Sequence, residues 1–183
     1  MTARLTAVAA AAVFALAAPA LAQLPPAPPP LATPNPHYAV IEMQMDVARP
    51  AAQVWARVGK YCDISEWLGL KCQISSGQDG QVGAVRTLNG TTLEVLVGKT
   101  ELSYVYTQPV RVGAAYNLYH GVLEARPTSA TTSKLVYTLL WDNSGLPDDA
   151  ARAKDVEGRR ARFTGALRNM KILAEGGSLP AAK

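Results

Sequence analysis

Arg86 and Glu94 are the residues whose chemistry stands out in this chain, because both lie within apolar β-forming sequence. They belong to the segment VGAVRTLNGTTLEVL at 82–96, in which an Asn-Gly step separates two runs of β-branched and aliphatic residues. This pattern predicts an antiparallel hairpin with a tight turn. If the hairpin belongs to a sheet around a cavity, the charged pair supplies polar contacts in an otherwise apolar pocket.

The length of the turn decides how these two side chains are arranged. A two-residue turn places Arg86 opposite Leu93, whereas a three-residue turn at 89–91 places Arg86 directly opposite Glu94. Apolar patterning favours Leu93 and its alternate neighbours as the inward set. The cost of burying an arginine without an acidic partner favours the paired register instead. The sequence leaves both arrangements open.

Aromatic residues recur in the apolar segments that follow the hairpin. At such positions aromatic side chains more often form the core of a sheet than contact a ligand. These residues are Tyr104, Tyr106, Tyr119, Tyr137 and Trp141. His120 alternates with Tyr119, so we expect its side chain to point outward, away from any catalytic role.

The N-terminus predicts export. Arg4 precedes an apolar run at 7–18, and Ala20-Leu21-Ala22 forms a small-residue cleavage site, so 1–22 is interpreted as a secretory signal peptide. The apolar run is shorter than the about 20 residues that span a membrane. We therefore expect a periplasmic or secreted protein without stable membrane insertion. An uncleaved anchor is the alternative.

Three further segments follow the signal peptide. The proline density of 23–37 favours extended polyproline conformation and predicts a linker. The segment 38–175 has the size of one ordinary domain. Gly176-Gly177 ends the last predicted helix, and 176–183 is expected to be a flexible tail.

Cys62 and Cys72 are the two cysteines of the chain. In an oxidising compartment such a pair predicts a disulfide, and two buried free thiols are the alternative. A zinc site needs about four ligands, but His37 and His120 lie far apart in the sequence. No glycine-rich phosphate loop and no G-x-S-x-G motif is present in the sequence. We expect no metal site and no cofactor.

The formal net charge of +4 is spread along the chain. It forms no dense basic stripe with interleaved aromatic residues, which argues against a nucleic-acid partner. The tightest basic cluster, Arg159, Arg160 and Arg162, lies near Asp155 and Glu157, as on a solvated helix face. We expect a monomer.

Periodicity predicts the order of the elements. Strict alternation over 38–47 predicts a half-buried first strand, and two short helices follow near 51–60 and 63–67. Further strands are predicted at 70–75, in both arms of the hairpin, and at 102–107, 116–125 and 135–142. A helical period then extends to Ala174. This order predicts an α+β fold with seven antiparallel strands and one long C-terminal helix.

The long helix should present one apolar stripe to the sheet. The predicted stripe comprises Val156, Phe163, Leu167, Met170 and Ala174. Arg159 and Arg160 fall on its edges, either reaching over a cavity mouth toward an anionic head group or lying in water. Arg162 and Arg168 are predicted to point away.

This order of elements, with VWARVGKYCDISEWLGLKC, VGAVRTL, Glu94-Val95-Leu96, Asn117 and Tyr119, resembles the SRPBCC/START-like helix-grip superfamily. That group includes START domains, the birch pollen allergen, polyketide cyclase/dehydrase and lipid-transport-like proteins, and plant abscisic-acid receptors. The resemblance covers essentially the whole domain. It implies a curved sheet that grips the long helix over an apolar cavity for a lipid, steroid, isoprenoid or polyketide.

The resemblance also implies which residues contact a ligand. In the receptors, residues similar to Arg86, Glu94 and Tyr119 line the pocket. The full candidate set is Arg86, Glu94, Tyr104, Tyr106, Asn117, Tyr119, Tyr137, Trp141, Arg159 and Phe163. The receptors have a longer gate loop than Asn89-Gly90, and their hormone-binding lysine falls near Leu70 here, which argues against hormone sensing.

Three hypotheses for function follow. The favoured one is an exported, non-enzymatic binding or carrier protein for a hydrophobic small molecule. The second is a cyclase or dehydratase in which Arg86 or Tyr119 polarises a carbonyl and Glu94 moves a proton. The third is a structural or interaction module whose cavity is filled.

Overall fold

A computed structural model describes Thr33, residues 35–110 and residues 118–180. The predicted signal peptide and the candidate site residue Asn117 lie outside the described residues. Ten elements follow one another in the predicted order: β1 (Tyr38–Val47), α1 (Ala51–Val58), α2 (Ile64–Trp67), β2 (Cys72–Ser76), β3 (Val85–Leu88), β4 (Thr92–Lys99), β5 (Ser103–Thr107), β6 (Tyr119–Pro127), β7 (Ser133–Asp142) and α3 (Asp149–Ala174).

The seven strands form one antiparallel sheet in the order β1-β7-β6-β5-β4-β3-β2. Strands β2 to β6 each pair with the next strand along the chain, as short connections favour, and β1 pairs with β7. The register shifts between Ile74 and Ser76 and between Leu96 and Gly98, and such irregularities bend strands. The predicted α+β helix-grip fold is confirmed.

The hairpin of β3 and β4 has the paired register. Leu88 pairs with Thr92 across the turn, and Arg86 lies directly opposite Glu94. Glu94 and Leu96 are buried, whereas Val97 is exposed. The alternative that apolar patterning favours, with Leu93 and its alternate neighbours inward, is therefore wrong for this strand. The ion pair occupies the inward face.

A contact from outside the hairpin holds its turn. The Asn89 backbone N–H donates to the Lys71 carbonyl at 2.9 Å, and the Asn89 side chain accepts from the Lys71 backbone N–H at 3.0 Å. Asn89 and Gly90 both have positive φ angles, 50° and 76°, in the left-handed region that asparagine and glycine tolerate best. The three-residue turn thus depends on a partner 18 positions earlier.

Helix α3 begins directly after Asp148, whose side chain caps it. The Asp148 side chain accepts from the Ala151 backbone N–H at 2.7 Å, which satisfies one of the free N–H groups of the first turn. The buried stripe of α3 comprises Phe163, Ala166, Leu167, Met170 and Leu173. Val156 and Ala174, which were predicted in this stripe, are only partly buried. The stripe is wider than one row, because residues three and four apart share a helix face.

A disulfide joins Cys62, just before α2, to Cys72 at the start of β2. It ties the short helices to the edge strand next to the hairpin. Within the described ranges, no helix has the length and apolar character to cross a membrane.

Candidate ligand-binding site

The ion pair of Arg86 and Glu94 is buried on the inner face of β3 and β4. Arg86 donates to Glu94 Oε2 from Nε at 2.8 Å and from Nη2 at 2.6 Å. Glu94 Oε1 accepts from Gln108 Nε2 at 3.1 Å. Arg86 Nη1 donates to the Tyr61 carbonyl. Since the two residues are 0% and 3% exposed, these bonds offset the cost of removing both charges from water.

Aromatic rings surround the Arg86 guanidinium. Its central carbon lies 4.1 Å from the Tyr61 ring centroid, 5.0 Å from that of Tyr106 and 5.8 Å from that of Tyr104. The negative faces of such rings attract a cation, most strongly in a desolvated site. We call Arg86, Glu94 and these three tyrosines the Arg86 cluster.

The Tyr106 hydroxyl lies 2.8 Å from the Tyr137 hydroxyl. Burial raises the pKa of both tyrosines well above the ordinary value. The two side chains are therefore neutral at physiological pH and join the Arg86 cluster to the core.

A cleft of about 540 Å³ opens between the hairpin, α2 and the first half of α3. This volume lies within the about 300–1,000 Å³ of typical small-molecule sites. Its apolar lining comes from α2 and the segment after it, from β3 and from α3: Ile64, Leu68, Leu70, Leu88 and Phe163. Its sheet-side polar groups are Glu94, Tyr106, Gln108 and Tyr119. Asn89, Thr91 and Thr92 of the hairpin also line it, and α3 contributes Lys154, Asp155, Gly158, Arg159 and Arg162.

Arg159 is anchored in this wall. Its Nε donates to Asp155 Oδ1 at 3.0 Å, and its guanidinium carbon lies 4.9 Å from the Trp141 ring centroid and 5.3 Å from that of Tyr119. Asp155 Oδ2 accepts from Trp141 Nε1 at 2.7 Å. Burial, together with the Arg162 guanidinium, lowers the pKa of Arg159 to about 10. The side chain therefore keeps its charge at neutral pH.

Tyr119 supplies a hydroxyl on the same wall. Burial raises the pKa of Tyr119, so the hydroxyl stays protonated at neutral pH. It can serve a ligand as a neutral hydrogen-bonding group.

The structure brings five of the candidate site residues to the cleft wall: Glu94, Tyr106, Tyr119, Arg159 and Phe163. Arg86 binds Glu94 from the side away from the cleft, and it is not one of the described residues that line the cleft. Tyr137 packs against Phe163, with ring centroids 4.8 Å apart. Trp141 contacts the cleft wall through Asp155 and Arg159.

Tyr104 lines a second cleft of about 610 Å³ beside α1. Trp55, Tyr61 and Leu96 share its lining. Because Tyr61 and Tyr104 contact Arg86 from this side while Glu94 and Tyr106 line the first cleft, the Arg86 cluster separates the two spaces.

Sequence reasoning missed several residues of the cleft. Arg162 is exposed and lies outside the buried stripe, as predicted, but it still borders the cleft, because two adjacent rows of α3 line that space, 154/158/162 and 155/159/163. Gln108 directly follows β5 and precedes Pro109. Its contact with Glu94 could not be inferred from position in the sequence.

Within the described parts of the chain, no group of three or more His, Cys, Asp or Glu side chains could hold a metal ion.

Solved structures share this fold. A protein from Nitrosospira multiformis is 24% identical, with a TM-score of 0.55, over 72% of this chain and 96% of its own. The Zhui aromatase/cyclase from a Streptomyces species is 22% identical, with a TM-score of 0.58, over 77% of this chain and 99% of its own. Truncated norcoclaurine synthase from Thalictrum flavum is 13% identical, with a TM-score of 0.56, over 80% of this chain and 99% of its own.

Sequence comparison supplies the family. No curated protein matches the chain. A family model described as polyketide cyclase/dehydrase and lipid transport matches residues 38–175. Because that match spans most of the chain, and the helix-grip architecture agrees with it, the chain belongs to the polyketide cyclase/dehydrase and lipid-transport family.

Proposed function

We propose that the protein is an exported carrier of a hydrophobic small molecule, which it holds in the cleft between the hairpin, α2 and α3. The observation that carries this proposal is the cleft itself, which combines an apolar lining from Ile64 to Leu88 with the polar groups of Glu94, Gln108 and Tyr119. At such a site the apolar residues would bind the hydrophobic part of a ligand, and the polar groups would orient it.

Export is supported by the N-terminus and by the cysteines. The segment 1–22 has the pattern of a secretory signal peptide. The disulfide between Cys62 and Cys72 is of a kind that persists in oxidising compartments and is rare in the cytosol.

The polar groups favour binding over catalysis. Arg86 is committed to Glu94, the Tyr61 carbonyl and three aromatic rings, away from the cleft wall. Glu94 in turn receives three N–H bonds. These bonds hold the carboxylate in one orientation at the cleft wall. It retains acceptor capacity for a ligand hydroxyl.

Two glycines of α3 offer a matched test. A Cβ added at Gly158, which lines the cleft, or at Gly165, which does not, would meet no atom within 4 Å. Gly158→Phe should fill the cleft without displacing the core, and Gly165→Phe is its control. Uptake of the neutral dye Nile red should fall at least about tenfold in Gly158→Phe and stay unchanged in Gly165→Phe. Equal uptake by both variants would contradict the assignment of the cleft.

A second candidate function follows from Glu94 and Tyr119 lining the same cleft. In an enzyme of the cyclase or dehydratase type, Glu94 would move a proton while the Tyr119 hydroxyl polarises a carbonyl. Native mass spectrometry of protein purified from its own periplasm separates the two functions. A carrier releases a bound molecule unchanged in mass after prolonged incubation. Loss of water from that molecule in wild type but not in Tyr119→Phe would favour the enzyme.

A further inference from the structure

The α3 side of the cleft carries an excess of positive charge. Three cations of α3, Lys154, Arg159 and Arg162, line the cleft. Two carboxylates line it as well, Asp155 of α3 and Glu94 of β4. Glu94 is already paired with Arg86. Among the residues that the structure describes, no carboxylate lies within ion-pair distance of Lys154 or Arg162. These two cations thus border a partly apolar space without a negative partner.

The Arg159 guanidinium is held in one orientation. Asp155 binds its Nε, and the rings of Trp141 and Tyr119 lie against it. Its side chain is only 16% exposed. A guanidinium is a planar fork that matches the two oxygens of a carboxylate. Because Arg159 is already ordered, an anion that binds there would lose little affinity to side-chain ordering.

Arg162 adds a second cation near the first. Two guanidinium groups on one wall repel each other, and this repulsion contributes to the lowered pKa of Arg159, after burial. An anion that contacts both groups would relieve the repulsion. Such a site favours a negative ligand over a neutral one of the same shape.

We propose that the cleft selects amphipathic molecules that carry a carboxylate at one end, with the carboxylate bound by Arg159 and Arg162 and the apolar part lying along Leu68, Leu70 and Leu88. Lys154, on the same wall, adds to the attraction. This selectivity rests on the proposed carrier function and names the class of its ligand.

The test compares two probes that differ only in charge. Cis-parinaric acid is a fluorescent polyene fatty acid, and its methyl ester is the neutral analogue. Wild-type protein should bind the acid about tenfold more tightly than the ester, as charge-assisted hydrogen bonds allow. The preference should decline at high salt, since partly exposed charges are screened.

Variants locate the effect on α3. The double variant Lys154→Gln/Arg162→Gln should weaken binding of the acid about tenfold and affect the ester far less. Arg168→Gln is the matched control, because Arg168 is an exposed cation of the same helix outside the cleft. Arg159 is retained in these variants because it packs against Trp141 and Tyr119.

The outcomes separate the two proposals. If the ester binds and the acid binds no more tightly, the carboxylate site fails and the carrier function stands. If the double variant weakens both probes equally, or Arg168→Gln removes the preference as well, the carboxylate site also fails. If neither probe binds and Nile red is not taken up, the carrier function fails and the carboxylate site with it.

Discussion

Arg86 and Glu94 lie opposite each other on β3 and β4, and both N–H bonds from the arginine reach the same carboxylate oxygen, Oε2. The other oxygen of Glu94 is left for Gln108 at the cleft. The buried pair therefore positions an acceptor at the cleft wall while keeping the arginine behind it.

Removal of either member of this pair should destabilise the protein severely. Arg86→Met leaves a buried carboxylate without its cation, and Glu94→Gln leaves a buried guanidinium without its anion, at a cost of about 3–5 kcal/mol each. The double variant Arg86→Met/Glu94→Leu should regain most of this loss, because no buried charge remains. Urea unfolding measures all three variants.

The exposed pair of Arg57 and Glu66 is the control for that experiment. Its N–O distance is 2.6 Å, equal to the shortest N–O distance of the buried pair, but its side chains are 41% and 46% exposed. Arg57→Met should therefore cost no more than about 1 kcal/mol. Similar losses for Arg57→Met and Arg86→Met would show that burial is not the source of the effect.

The disulfide should stabilise the domain. The bond links residues ten positions apart, and by restricting the unfolded chain it should raise the free energy of unfolding by about 2–3 kcal/mol. Intact mass without reductant should be lower by two hydrogens than after reduction, and Cys62→Ala/Cys72→Ala should unfold at a lower urea concentration. Two reactive thiols in protein recovered from the periplasm would contradict this prediction.

Glycines at two positions should respond oppositely to the same substitution. A Cβ at Gly121 of β6 would overlap the Tyr106 ring, whereas one at Gly158 meets open space. Gly121→Ala should therefore destabilise the protein by about 1–3 kcal/mol through overpacking. Gly158→Ala should stabilise it by about 0.5–1 kcal/mol, because alanine is the better helix former. Thermal unfolding of both variants tests the contrast.

Stability should fall at alkaline pH. Burial raises the pKa of Tyr104, Tyr106 and Tyr137 in the folded state, whereas the value in the unfolded chain is about 10. Below pH about 10 both states keep these protons, so the contribution is constant. Above it the unfolded state loses protons that the folded state retains, and stability declines by up to about 1.4 kcal/mol per pH unit for each tyrosine.

Tyrosinate absorbance and circular dichroism, recorded together, check this pH dependence. The buried tyrosines should ionise only as the ellipticity is lost. In Tyr106→Phe/Tyr137→Phe the decline should be less steep, because two of the groups no longer titrate. Complete tyrosine ionisation with unchanged ellipticity would contradict the assigned burial.

Periodicity was sufficient to predict the strands and the long helix, because alternation and the 3.6-residue period reflect which faces are buried. The hairpin register was different. Two turn lengths suited the local sequence equally, and the choice depends on hydrogen bonds between Asn89 and Lys71, 18 positions apart. Non-local contacts of this kind leave no local pattern.

Some residues of the candidate site were predictable from the sequence, and others were not. Glu94 and Tyr119 stood out through the family resemblance, and both lie in the cleft. The positions of Arg162 and Gln108 depend on where α3 lies against the sheet and on how the chain leaves β5. Helix periodicity gives the angles between residues around the axis of α3. It does not say which part of the helix packs on the core and which part borders the cleft.

The Arg86 cluster sets a depth limit for anything that enters the first cleft. The cluster lies between the first cleft and the second, and separating its buried charged pair would cost much free energy. A flexible ligand chain therefore cannot displace it as it could displace loosely packed leucine side chains. A molecule that is longer than the first cleft must therefore leave its far end in solvent. Within a series of homologous ligands, affinity should rise with chain length until the cleft is filled and should then stay constant. The depth of the cleft would therefore determine the longest chain that adds to affinity.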